Sequence, residues 1–113
     1  MNYIKNIEHQ KVLSLISEVD AQDGQIVSKT LAQNNALSIT LFAFSAGEEI
    51  GTHGSDGDAL VTVMEGEGRF VVGDDTYILK AGESLVMPAG IPHSVHADQK
   101  FKMQLTVVFP DNS

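Results

Sequence analysis

The chain has 113 residues, 42% hydrophobic and 19% charged, which suits one compact domain and excludes wholesale disorder. Fifteen acids against seven basic residues give a formal charge of -8, with no cationic cluster to neutralise nucleic-acid phosphates or an anionic membrane surface. The absence of cysteine excludes disulfides and thiolate metal sites, and no apolar run reaches the roughly eighteen residues that span a bilayer. A cytoplasmic protein without nucleic-acid or membrane partners is expected.

In chain order, KVLSLISEV carries apolar residues at 12, 13, 15, 16 and 19, which fits a short helix, while KVLSL alone alternates as a strand. Residues 1–35 are therefore read as an N-terminal segment that packs on, or pairs with, a β-domain core spanning 37–109, all within a single domain 1–113. Gln25–Leu31 has strand character and pairs through the QNN turn with Leu37–Ser45, an apolar, β-branched and aromatic run. Both faces of that second strand are apolar, Leu41 and Ala43 on one side and Phe42 and Phe44 on the other. Two covers are expected, the N-terminal segment and a second subunit.

Further along, Ala59, Val61 and Val63 alternate with Leu60, Thr62 and Met64, so the two sets face opposite ways. RFVV and TYIL flank GDD as a hairpin. Phe101, Met103, Leu105 and Val107 alternate with Lys102, Gln104 and Thr106, the pattern of a strand with one wet face. Turn signals (AGEE, EGEG, KAGE, PAGIP) separate these runs, and Gly47, Gly66, Gly82 and Gly90 read as turn residues. Short strands at this spacing predict an all-β sandwich or barrel.

The spacing of glycine, proline and histidine goes further. Gly47 is followed by five residues and His53, with Ser55 two beyond, Ala59 four beyond that, and Gly66 after six more. Gly82 is followed by five residues and Pro88, then Gly90, then His93. This resembles the cupin superfamily, whose motifs read G-x5-H-x-H-x3-4-E-x6-G and G-x5-P-x-G-x2-H-x3-N. The second motif is matched from Gly82 through His93, with Ala97 standing where asparagine is usual. The resemblance implies a double-stranded β-helix, or jelly-roll barrel, of the small conserved-barrel type, and homodimers are common among such proteins.

In metal-binding cupins, two histidines and a glutamate of the first motif join a histidine of the second around a divalent ion. Here His53 and His93 hold the first and last of those positions, Ser55 replaces the second histidine, and Ala59 replaces the glutamate. A neutral serine hydroxyl is a poor ligand beside imidazole, and two histidines fall short of the three protein ligands usual in catalytic zinc sites. Asp58 is a candidate third ligand if a local bulge turns it inward, since one step along a strand reverses a side chain.

His53, Ser55, Ala59, Val61, Val63, His93 and Met103 are the expected pocket residues, an apolar lining with a few polar anchors. The leading expectation is a small cupin of unassigned activity that binds a small molecule through His53 and His93. The alternatives are a metal-dependent dioxygenase or isomerase with a weakly held divalent transition metal on His53 and His93, and a structural or regulatory module with no pocket function. His96, three residues beyond His93, is expected to face outward, and His9 to be exposed. Serine-nucleophile chemistry at Ser55 lacks both a G-x-S-x-G elbow and an evident third partner.

Overall fold

The alternating runs form nine strands in the computed structural model, which describes residues 3–111. In chain order they are β1 (Ile26–Gln33), β2 (Leu37–Phe44), β3 (Glu49–His53), β4 (Asp58–Glu65), β5 (Glu67–Val72), β6 (Asp75–Lys80), β7 (Ser84–Met87), β8 (His93–His96) and β9 (Phe101–Val108). A five-stranded sheet in the order β1-β2-β9-β4-β7 faces a four-stranded sheet in the order β3-β8-β5-β6, and each recorded strand pairing is antiparallel. Two antiparallel sheets closed over one core make the all-β jelly-roll barrel that the motif spacing implied.

Turn chemistry sets the strand order. The Asn34 side chain accepts from the backbone N–H groups of Ala36 and Leu37, at 2.8 and 3.0 Å, and so folds β1 back on β2. The β5–β6 turn is Gly73-Asp74 alone, because Asp75 already pairs with Val72. GDD thus contributes two turn residues and one strand residue.

Inward-facing side chains fill the barrel from one end. Phe44 stacks on Phe101 with ring centroids 4.6 Å apart, and Phe70 meets Phe101 edge-on at 6.1 Å. Ala59, Val61, Val63, Leu79, Met87, Val95 and Met103 complete this core. Val61 and Val63 are 0% exposed and Met103 is 1% exposed, so none of the three borders space that a ligand could enter. The expectation that they line a pocket gives way to core packing, because alternation reports which face a residue occupies and not whether the space beyond is filled.

A second apolar layer lies on the outer surface of the five-stranded sheet. Leu31, Leu41 and Ala43 pack there with Val19, against Ile7, Leu15, Ala21 and Val27. The N-terminal segment supplies this cover, mostly as irregular chain with one 3-10 turn, Leu15–Glu18, rather than as a strand. It is held by the backbone bond from Lys5 N to Leu31 O at 2.8 Å, and by Lys102, whose ammonium donates to Ile16 O at 2.7 Å. Both faces of β2 are thus covered within one chain: Leu41 and Ala43 by this segment, Phe42 and Phe44 by the barrel core. The two-faced apolar pattern therefore does not require a second subunit.

Candidate functional site

His53 ends β3 and His93 begins β8, and these strands are neighbours in the four-stranded sheet. Ile50 pairs with Val95, yet His53 rather than Thr52 pairs with His93. One extra residue therefore sits on β3, a bulge at Gly51-Thr52. In an unbroken ladder, Thr52 would oppose His93 and His53 would point to the other face. The bulge corrects the parity and brings the two rings together, with centroids 4.4 Å apart and planes at 67°.

Each ring is oriented by a backbone carbonyl two residues upstream. His53 Nδ1 lies 2.9 Å from Gly51 O, and His93 Nδ1 lies 3.2 Å from Ile91 O. A carbonyl oxygen can only accept, so in the neutral rings both Nδ1 atoms carry the proton and both Nε2 atoms present lone pairs. His93 is 4% exposed whereas His53 is exposed, which sets one ring in the wall and the other at the rim. Burial, the largest effect, holds the His93 imidazole below its ordinary value; the Ile91 carbonyl opposes this and the neighbouring His53 adds to it. The buried ring is accordingly neutral at neutral pH.

The loop that delivers His93 is fixed from three directions. Ala89 N donates to Asp58 Oδ1 at 2.8 Å, Gly90 N donates to Ser55 O at 2.9 Å, and Gly73 N donates to Pro92 O at 2.8 Å. These bonds reach the loop from β4, from the β3–β4 loop and from the β5–β6 turn. Gly90 takes φ +77°, which favours glycine, and Pro92 has a ring-restricted φ. On the other side, Gly57 passes so close to the Val108 backbone that a Cβ would collide with Val108 O, which leaves glycine as the residue that fits that crossing.

These bonds show how the residues at the usual ligand positions are used. Ser55 contributes its carbonyl to Gly90 and its Oγ accepts from Gly57 N at 3.2 Å. Asp58 spends a carboxylate oxygen on the Ala89 amide instead of joining the histidines. Ala59 is buried in the core beside Val61 and Met87 and offers no donor atom. Among the described residues, no group of three or more His, Asp or Glu side chains gathers closely enough to hold a metal ion. The residues present do not fit the tightly held divalent ion of metal-binding cupins: two imidazoles remain, and the candidate third ligand is tied to a loop.

His96 faces away from the pair, on the outer surface. Its Nδ1 bonds Glu49 Oε2 at 2.8 Å and its Nε2 bonds Ser94 Oγ at 2.8 Å. These lengths match a serine–histidine–carboxylate relay, but Ser94 is buried in a strand paired on both sides, so its hydroxyl is closed to a substrate. Arg69, on β5 of the same sheet, grips Asp98 of the β8–β9 loop through two bonds, 2.9 and 3.0 Å long, which raises the Arg69 value and lowers that of Asp98. His9 is exposed and bonds Ile4 O.

Residue-type reasoning located both histidines, but not the groups that aim them. The carbonyls of Gly51 and Ile91, and the Gly73–Pro92 link, are backbone interactions with no side-chain signature. Val72, which pairs with His93 on one side and Asp75 on the other, was likewise not singled out.

The model of the cupin domain matches residues 40–109, and the chain belongs to the cupin family. It is similar to a conserved protein of unknown function from Streptococcus pyogenes, with 47% identity, 98% of this chain and 97% of that one covered, and a TM-score of 0.96. A cupin superfamily protein from Desulfitobacterium hafniense shares 29% identity over 95% of this chain and 98% of its own, with a TM-score of 0.90. A cupin 2 conserved barrel domain protein from Leptotrichia buccalis shares 44% identity over 85% of this chain and 47% of its own, with a TM-score of 0.83. No curated protein matches the chain.

Proposed function

We propose that this cupin binds a small molecule at the barrel mouth, with His53 and His93 as its polar anchors. The observation that carries the reading is the pair itself: two imidazoles from separate strands, centroids 4.4 Å apart, each with Nδ1 engaged by backbone and Nε2 left for a ligand. A three-way tethered loop and a compensating bulge support the same reading, since both serve to hold the rings in place. The aromatic core below restricts the ligand to the histidine end. A thermal-shift screen of polyols, sugars, amides and aromatics tests the proposal, because a ligand of the native state raises its melting temperature. The expected hits lose their effect in His53→Ala and His93→Ala; hits indifferent to both substitutions refute it.

The metal-dependent reading has less support, because the donor set falls short of three side chains. We further propose a cytoplasmic homodimer. Leu60 and Val86, paired on β4 and β7, and Val108 on the adjacent β9 are exposed apolar side chains on the five-stranded sheet, a surface that a second copy would cover. A solution mass near twice 12.1 kDa at micromolar concentration is expected, and a monomeric mass there contradicts it.

A further inference from the structure

We propose, resting on that ligand-site reading, that the His53–His93 site takes a ligand that presents two adjacent hydroxyl or N–H donors and carries no negative charge, and that it rejects carboxylates.

The argument begins with hydrogen-bond direction. The Gly51 and Ile91 carbonyls can only accept, which assigns both ring protons to Nδ1 and makes both Nε2 atoms acceptors. A ligand acceptor such as a carboxylate, an ether or a ketone would therefore meet lone pairs on both rings. A ligand donor meets a partner on each. The ring centroids are only 4.4 Å apart, so two donors held close together on one ligand frame, as in a vicinal diol, suit the pair.

The charges around the mouth point the same way. Asp58 lies on the loop tether, Asp56 two residues before it, and Asp75 next to Val72, the strand partner of His93. The cations lie elsewhere. Arg69 is taken by Asp98, Lys29 by Glu18, Lys11 by Glu8, and Lys102 by the N-terminal segment and Glu65. Lys80 lies opposite Glu67 in the ladder at the end of the β5–β6 hairpin away from its turn, Lys100 precedes the Phe101 end of β9, and Lys5 belongs to the N-terminal segment, where its backbone N donates to Leu31 O. An anion entering here would meet carboxylates and acceptor nitrogens with no compensating cation, and a buried unpaired charge is costly. The Ser55 hydroxyl, with its oxygen already accepting from Gly57 N, adds no positive charge.

Three compounds with one ring frame separate the alternatives: catechol, its dimethyl ether and phthalate. Each is titrated at neutral pH into chelator-treated full-length protein while the imidazole Cε1–H signals and the long-range ¹⁵N shifts of His53 and His93 are followed. Saturable shifts of both rings by the diol, at least tenfold weaker binding of the diether, and no saturation by phthalate are expected. His53→Phe keeps an aromatic ring at the exposed rim but removes one acceptor, and should weaken the diol about threefold to tenfold. The free protein should show the Nδ1–H tautomer at both rings.

The proposal is overturned if the diether or phthalate binds as tightly as the diol, if none of the three moves either ring, or if either free ring carries its proton on Nε2. Diether or phthalate binding leaves the ligand-site reading intact. That reading fails separately, if the broad thermal-shift screen yields no histidine-dependent hit.

Discussion

Replacing Phe70 with alanine probes whether the lower barrel is packed core or latent ligand space. Phe70 is 0% exposed, meets Phe101 edge-on at 6.1 Å, and pairs in register with Val95 and Tyr77. It stands one inward position below Val72, the strand partner of His93, so its ring forms part of the floor under the histidines. Removing a buried phenyl group costs about 3–5 kcal/mol through lost transfer energy and the cavity left behind. With an unfolding entropy of about 2.1 cal/mol/K per residue, a domain of this length loses roughly 17 °C of melting temperature for a 4 kcal/mol loss. Urea denaturation and calorimetry of Phe70→Ala measure both quantities. Tyr77→Ala, on the neighbouring strand but 40% exposed, serves as the control and should cost about 1 kcal/mol or less. A Phe70→Ala loss no larger than that of Tyr77→Ala refutes the filled-core account and reopens Val61, Val63 and Met103 as pocket walls.

Gly57→Ala should cost about 3 kcal/mol or displace the β3–β4 loop, because the added methyl meets Val108 backbone rather than a yielding side chain; denaturant unfolding reads the first outcome and NMR shifts at Ser55 and Gly90 the second. His93 holds a proton less readily in the folded chain than in the unfolded one, so its contribution to stability is complete above about pH 6.5 and is lost as pH falls toward its lower folded value. Stability measured across that acid range should slope downward in the wild type and lose part of the slope in His93→Gln. Lys102→Met removes the donor to Ile16 O and the charge beside Asp20 and Glu65, and should raise amide exchange over residues 15–20 at least tenfold while leaving β4 and β9 protected.

Strands and turns were legible in the sequence because their signals are local: alternation in Phe101–Val107, β-branching in Leu37–Phe44, and turn glycines between them. The bulges were not. Register breaks at Thr30/Ala32, Ile50/His53 and Val63/Glu65 depend on the partner strand, and each changes which side chain faces inward. The His53–His93 meeting could be anticipated from motif spacing, although the parity of β3 alone would have turned His53 away. Asp58 shows the reverse limit, since its acceptor role depends on an amide 31 residues later in the chain. The N-terminal segment resisted assignment because its apolar residues follow neither period; they fit the outer surface of a sheet made by other parts of the chain.

Mapping bound fragments by NMR on the wild-type protein tests the central claim most directly. A library of small neutral polyols and aromatics should perturb resonances centred on His53, Ser55, Gly90 and His93, and the perturbations should vanish in the His53→Ala/His93→Ala double variant. Saturable binding centred instead on the groove of about 650 Å³ beside Asp20, Glu65 and Lys102, with both imidazole signals unmoved, would contradict it.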